Sequence, residues 1–174
     1  MNMPTNELTS LQIFKGIAPE EATTICDALE EMSFSAGEEI LTEGDDTQAL
    51  WIILSGECVV SRSCSVNDVR ILANLNAGDV FGEMSFVRTA PHSATIKATS
   101  DVTVCCYSRA HFRELKAKFP DAVCNITANI AAVLAERLRR MDTWVCEMVD
   151  GPKGDDYRDE WQTFRSAVYT NWNF

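Results

Sequence analysis

The most informative stretch of the sequence runs Gly78-Asp79-Val80-Phe81-Gly82-Glu83-Met84-Ser85-Phe86 and continues, after a short loop, with Ala90-Pro91-His92-Ser93-Ala94-Thr95. Glycine at position 82 permits a left-handed turn or a close approach between the backbone and a ligand. A short helix opening at Glu83 would leave its first N–H groups without intrahelical partners, and such groups bind phosphate. The stretch therefore predicts an anion-binding turn, but a single Gly-Glu turn is not specific.

Outward from this stretch, residues 34–108 have the pattern of short strands separated by glycine turns. We predict strands at residues 39–41, 49–54, 58–60, 71–75, 94–98 and 102–107. Several short strands at this spacing are typical of an all-β sandwich or barrel.

Helical patterns lie on both sides of the strand region. Apolar residues recur at helical spacing from Leu8 to Met32, with a break at Ala18-Pro19. A second helical pattern follows Arg109 and ends at Pro120, and a long helix follows over residues 121–148. The fold class predicted from the whole chain is mainly β with flanking helices, that is α+β.

The long helix carries an apolar seam with alternating spacings of four and three residues: Thr127, Ala131, Leu134, Leu138, Met141, Val145 and Met148. About three heptads are the least at which coiled-coil pairing becomes plausible. We therefore predict a homodimer through residues 127–148. The alternative is that this seam packs on the β core.

Residues 1–150 are predicted to form one domain, and residues 151–174 an aromatic-rich tail that begins at a flexible Gly151-Pro152-Lys153-Gly154 break. The tail contains six aromatic residues, Tyr157, Trp161, Phe164, Tyr169, Trp172 and Phe174. These are too many for a solvated tail. We expect a short helix that packs on its own domain or on a dimer partner, or else docks on a separate protein.

Net charge limits the range of partners. The formal charge is −11 and the pI is about 4.6, and the only dense basic cluster is Arg137, Arg139 and Arg140. Because affinity for DNA comes largely from cationic neutralisation of phosphates, direct DNA binding is not expected. No apolar run has the ~18–20 residues that a membrane-spanning helix needs, and the N-terminus does not resemble a secretory signal. We therefore predict a cytoplasmic protein that does not enter the membrane.

The reactive residue types show no pattern typical of an enzyme or a metal site. Seven cysteines, an odd number, have no CxxC pair, and neither histidine lies at zinc-site spacing from a cysteine pair. We predict reduced cysteines that serve as small buried hydrophobic residues, with a thiol redox sensor as a minor alternative. The HExxH, GxxxxGK[ST] and GxGxxG motifs are also absent. The chain is therefore predicted to have no catalytic residues, no metal and no cofactor.

The stretch from Phe81 to Phe86 closely resembles the phosphate-binding cassette of the cyclic-nucleotide-binding family. The surrounding chain agrees in order and spacing from about Leu11 to Val145, with Gly44-Asp45 before a strand, Ser55-Gly56 in a hairpin turn and Gly78-Asp79 before the cassette. The resemblance implies an eight-stranded jelly roll flanked by helices. It also implies a non-catalytic sensor that holds cyclic AMP or cyclic GMP between the barrel and the long helix, and that signals through that helix.

The resemblance also implies roles for individual residues. Within the cassette of Phe81, Gly82, Glu83, Met84 and Ser85, the N–H groups of Gly82 and Ser85 would meet the cyclic phosphate. Glu83 would hold the ribose 2′-hydroxyl, and Ser93 would reach the phosphate or the base. The long helix would cover the base, with Leu134, Arg137 and Leu138 nearest.

One position departs from the family pattern. The family has arginine directly after the proline of the outgoing segment, and this chain has His92. Arginine is always charged and binds two oxygens, whereas a neutral histidine offers one donor. The loss predicts binding about 10- to 150-fold weaker, strengthening at lower pH if protonated His92 meets the phosphate. Arg88 is a second candidate for the missing charge. The alternative reading is a degenerate member that acts as a ligand-free dimerisation or docking scaffold.

Overall fold

A computed structural model describes residues 5–65 and 68–150. One compact unit extends to Ile130, and a second unit begins at Ala131. The predicted aromatic tail, residues 151–174, lies outside the described residues, so its packing stays a prediction.

The helices and strands follow the predicted order, with helices on both sides of a run of strands. In chain order they are α1 (Thr5–Ser10), a 3-10 turn (Gln12–Phe14), α2 (Pro19–Ala28), β1 (Glu30–Phe34), β2 (Glu39–Leu41), β3 (Ala49–Ser55), β4 (Cys58–Ser65), β5 (Asp68–Leu75), β6 (Val80–Phe81), α3 (Glu83–Val87), β7 (Thr95–Ala98), β8 (Val102–Ser108), α4 (Arg109–Lys118) and α5 (Pro120–Asp150).

Within the described residues, eight strands form two four-stranded antiparallel sheets. The strand orders are β1-β8-β3-β6 and β2-β7-β4-β5. Trp51, Ile53 and Val104 of the first sheet and Cys58 and Ile96 of the second belong to one buried cluster. This arrangement confirms the predicted mainly β fold, a jelly roll with N-terminal helices and a long C-terminal helix.

Strand β3 reads as a continuous apolar run because both of its faces are buried. Trp51 and Ile53 lie in the cluster between the sheets, while Leu50 and Ile52 are fully buried on the other face. Leu50 pairs with Tyr107 of β8 on that second face. The Tyr107 ring packs edge-on against Phe14 of the 3-10 turn and Phe112 of α4. The flanking helices therefore cover one sheet.

The prediction that the helix extends to Met32 is wrong for its last four residues. Helix α2 ends at Ala28, and Leu29 already has extended backbone angles. Met32 lies in strand β1, opposite Val104 of β8, and is 40% exposed. Pairing with a strand distant in sequence therefore overrides the local helical spacing of Ile25, Leu29 and Met32.

The first turns of helix α5 are tied to the N-terminal segment by two side-chain amides. Nδ2 of Asn129 donates to the carbonyl oxygens of Ile13 (3.1 Å) and Lys15 (2.9 Å). Nδ2 of Asn125 donates to the Gly16 oxygen at 3.1 Å. Ile13 lies in the 3-10 turn and Lys15 and Gly16 follow it. The asparagines therefore satisfy backbone carbonyl groups at the end of a short turn, which would otherwise depend on water.

The cysteines are only partly as predicted. Cys58, Cys105 and Cys106 are buried, but Cys26 is half-buried and Cys124 and Cys146 are exposed. The exposed pair lies on helix α5, where neither side chain is covered in the described part of the chain. Across residues 5–65 and 68–150, no group of three or more His, Cys, Asp or Glu side chains is arranged to hold a metal ion.

Among the helices described, none has the length and apolarity required to cross a membrane.

Candidate ligand-binding site around helix α3

Gly82 opens the site with a backbone conformation that other residues rarely adopt. Its φ of 77° is left-handed, and it directly precedes helix α3. A Cβ atom at this position would lie 2.7 Å from the Ala49 carbonyl oxygen and 2.9 Å from Cδ1 of Trp51. Glycine is therefore required both by its dihedral angles and by the space available.

The cassette backbone sits on the core through Phe81. Phe81 is buried in strand β6 and stacks on Trp51 of β3, with ring centroids 6.0 Å apart and nearly parallel. Phe81, included among the predicted ligand-binding residues, thus lies in the hydrophobic cluster and fixes where α3 begins. Nε1 of Trp51 is buried and has no hydrogen-bond partner among the described residues.

Helix α3 presents its side chains in two directions. Glu83 and Ser85 are 4% and 2% exposed, whereas Met84 is 57% exposed. The hydroxyl of Ser93 contacts Sδ of Met84 at 3.6 Å, so the outgoing segment lies against the exposed side of the helix. Arg88 is exposed and follows the helix, where its N–H donates to the Met84 oxygen.

His92 is buried at 5% exposure and contacts Ser85. Its Nδ1 lies 3.1 Å from the Ser85 hydroxyl, which is also 3.0 Å from the Gly82 carbonyl oxygen. Nε2 of His92 is buried without a partner among the described residues. Whichever tautomer is present, Ser85 occupies one ring nitrogen, so Nε2 is the ring atom left for another partner.

The loop before β3 fixes the outgoing segment in place. The Gly44 N–H donates to the His92 oxygen (2.9 Å), and the His92 N–H donates to the Asp45 oxygen (2.8 Å). The Glu43 N–H donates to the Thr95 hydroxyl at 3.0 Å. The turn at Glu43–Asp45 therefore holds the outgoing segment that follows the cassette.

Helix α5 carries the remaining predicted site residues beyond Ile130. Leu134 and Arg137 are half-buried, and Leu138 is 48% exposed. These three residues belong to the second unit. Their predicted place over the base of the ligand stays a prediction.

Sequence reasoning missed a charged pair near the outgoing segment. Nε of Arg62 on β4 lies 3.6 Å from Oε1 of Glu43, and Oε2 of Glu43 accepts a hydrogen bond from the Ser63 N–H at 2.9 Å. The predicted strand ended at residue 60, two residues short of Arg62, whereas β4 continues to Ser65. Strand pairing, rather than a local motif, brings Arg62 to this region.

The comparisons agree with this architecture. The family model described as "Cyclic nucleotide-binding domain" matches residues 31–119. The chain is 32% identical over 130 residues to the cyclic AMP receptor protein of Thermus thermophilus, covering 75% of this chain and 58% of that protein. It is 33% identical over 113 residues to a cAMP-dependent protein kinase regulatory subunit of Hypocrea atroviridis, covering 65% of this chain and 23% of the subunit.

A solved structure, a cyclic nucleotide-binding domain from Methylobacillus flagellatus, aligns with a TM-score of 0.77 at 24% identity. The alignment covers 86% of each chain. At this identity the likeness shows the fold alone. The two curated relatives are longer than the matched part, since the chain spans little more than half of one and about a quarter of the other.

Proposed function

Because the chain belongs to the cyclic nucleotide-binding domain family, we propose that it is a non-catalytic regulatory sensor for cyclic AMP or cyclic GMP. The ligand lies at the cassette of Gly82–Ser85, and the signal passes through helix α5. The proposed place of action is the cytoplasm, without direct contact to DNA. One observation carries the proposal: Gly82 keeps a left-handed turn with no room for a side chain, directly before a short helix.

Each group in the proposed complex has a simple chemical task. The N–H groups of Gly82 and Ser85 donate to the cyclic phosphate, and the carboxylate of Glu83 accepts from the ribose 2′-hydroxyl. A carboxylate near a phosphate is tolerable in this arrangement because the sugar hydroxyl separates the two anions. Leu134 and Leu138 give an apolar surface for the base, and Arg137 lies beside them.

Replacing Glu83 with glutamine is expected to weaken cyclic nucleotide binding about 5- to 10-fold, because the amide oxygen still accepts the hydrogen bond but lacks the charge that adds about 1–1.5 kcal/mol. The measurement is titration calorimetry with cyclic AMP and with cyclic GMP. The matched control is Glu57→Gln, which changes an exposed glutamate outside the site. Equal affinities for the two variants would exclude the proposed role of Glu83.

The second candidate function is a ligand-free scaffold for dimerisation or docking. The observation that favours it is His92, which stands where the family has arginine and is buried against Ser85. A ligand that binds only the folded state must raise the melting temperature. A thermal-shift screen with cyclic mononucleotides and dinucleotides therefore separates the two candidates, because no response to any of them supports the scaffold.

We further propose that the chain forms a homodimer through the seam of residues 127–148. Leu138 and Met141 of that seam are 48% and 50% exposed. The double variant Leu138→Glu/Met141→Glu is expected to shift the mass measured by sedimentation equilibrium from twice 19.4 kDa to 19.4 kDa. The reason is that the two introduced carboxylates would be buried in the dimer interface, next to the same carboxylates of the second copy and without a positive partner.

The control for this dimer test is Ala132→Glu/Thr143→Glu, which places the same charges at exposed helix positions away from the seam. This control should remain dimeric. A monomeric wild-type protein, or a dimer that survives both double variants, would contradict the proposal. A separate protein partner for residues 151–174 remains a prediction from the sequence.

A further inference from the structure

The loop that holds His92 also contacts a cationic side chain from outside the cassette, Arg62. We propose that Arg62 of strand β4 provides the positive charge that meets the ligand phosphate, in place of the arginine that His92 replaces. This inference rests on the proposed function, because it names a further binding residue of the same site.

Strand register places Arg62 on the inner face of its sheet. Cys58 and Val60 of β4 pair with Ala98 and Ile96 of β7, and all four belong to the buried cluster or pack against it. Side chains alternate between the two faces of a strand, so Arg62 lies on the same face as Cys58 and Val60. The Arg62 side chain therefore starts on the face of β4 that points towards the buried cluster, one position beyond Val60 on that face.

The same register brings Arg62 next to the outgoing segment of the cassette. Ser61 pairs with Thr95, the first residue of β7. Arg62 is the next residue along β4, and the chain that leads into Thr95 is the segment of His92 and Ser93. Diagonal neighbours across two strands lie about 7–8 Å apart, which is within reach of an arginine side chain.

Glu43 ties Arg62 to this region directly. Its carboxylate lies 3.6 Å from Nε of Arg62, and the N–H of the following residue, Gly44, donates to the His92 oxygen. The guanidinium thus lies beside the loop that also binds the backbone of His92. The Arg62 side chain is 57% exposed, so a ligand entering from solvent can reach it.

Two arginines lie opposite each other on this face of the sheet, Arg62 of β4 and Arg70 of β5. An exposed ion pair such as that of Arg62 with Glu43 stabilises little. A guanidinium fork binds two phosphate oxygens in a preferred geometry, so in the proposed complex the ligand phosphate replaces the Glu43 carboxylate beside Arg62.

The test is titration calorimetry of the full chain with cyclic AMP and with cyclic GMP, for wild type and four variants. Arg62→Gln removes the proposed clamp, and Arg113→Gln removes an exposed arginine of helix α4 as the matched control. His92→Arg restores the residue that the family has at position 92, and the double variant combines it with Arg62→Gln. Circular dichroism and melting temperatures establish that each variant is folded.

We expect Arg62→Gln to weaken binding about 10- to 150-fold and Arg113→Gln to leave it unchanged. In the His92→Arg background, where the family's own cation is present, Arg62→Gln should have little effect. Equal affinities of wild type and Arg62→Gln, or binding by His92→Arg alone, would overturn the assignment of Arg62 while leaving the cassette function in place. Failure of wild type and of every variant to bind would overturn both proposals.

Discussion

Replacing Gly82 with alanine is expected to lower the free energy of unfolding by about 2–5 kcal/mol. A left-handed backbone costs a residue with a Cβ atom about 1–2 kcal/mol. Forcing extra atoms into a packed site typically costs a further 1–3 kcal/mol, and the new Cβ would lie 2.7 Å from a backbone oxygen that belongs to β3. Because this oxygen belongs to an inner strand of the first sheet, relaxation would have to move β3 or the cassette.

The matched control for this substitution is Gly78→Ala. Gly78 also has a positive φ, 91°, but a Cβ there would meet nothing within 4 Å. The control therefore isolates the conformational cost of about 1–2 kcal/mol from the steric cost. Urea unfolding measures both variants. Equal losses at the two positions would contradict the claim that the cassette is clamped against Ala49 and Trp51.

The second large effect is a loss of stability at alkaline pH. Burial raises the pKa of the Cys105 thiol from its ordinary value of 9.0 to about 12, and the neighbouring Cys106 thiol adds to the shift. Burial, with Glu30 as a second cause, raises the pKa of Cys106 to about 11. Burial, with Glu114 as a second cause, also raises the pKa of the Tyr107 hydroxyl.

The sign of the effect follows from proton binding. Well below pH 9 the thiols are protonated in both the folded and the unfolded state, so their ionisation does not change the free energy of unfolding. Above this pH the unfolded chain releases the protons while the folded chain keeps them, so stability falls as pH rises towards the folded pKa values. Each pH unit costs about 1.4 kcal/mol for one such group. Cys105 alone should therefore cost on the order of 2 kcal/mol at pH 10.5.

Guanidinium unfolding at pH 7.5 and pH 10.5 measures this loss for wild type, Cys105→Ala and Cys124→Ala. Removal of the buried thiol should lower stability at pH 7.5 but make the loss between the two pH values smaller. Cys124 is exposed on helix α5, so its removal should leave the loss as in wild type. An identical pH dependence in all three proteins would show that ionisation of Cys105 is not linked to folding.

The sequence predicted the fold well because its main signals are local. Each of these signals can be recognised within a few residues: the glycine turns, the short apolar runs and Pro120 between two helices. The structure has the corresponding strands and helices. Strand β1 was missed because its pairing with β8 joins residues about seventy positions apart along the chain. The short strand β6 was missed because Val80 and Phe81 are too few to show an alternating pattern.

The candidate site was predictable only in part, for a similar reason. Gly82, Glu83 and Ser85 form a contiguous motif, and a motif can be read without knowing the fold. The contact of His92 with Ser85 and the position of Arg62 beside the outgoing segment depend on how two strands and a loop are aligned. Such alignment is set by register, which a single sequence does not display.

The side-chain amide of Asn129 has a practical consequence for anyone who prepares this protein. It binds the carbonyl oxygens of Ile13 and Lys15, which lie 116 and 114 residues away along the chain. Between these two residues, the ring of Phe14 packs against the ring of Tyr107. A gene fragment trimmed to residues 31–119, the part shared with the family model, would lack Asn129 as well as Ile13 and Lys15. It would also lack the Phe14 ring that packs against Tyr107. The smallest sensible expression product therefore starts well upstream of that shared segment and continues past Asn129.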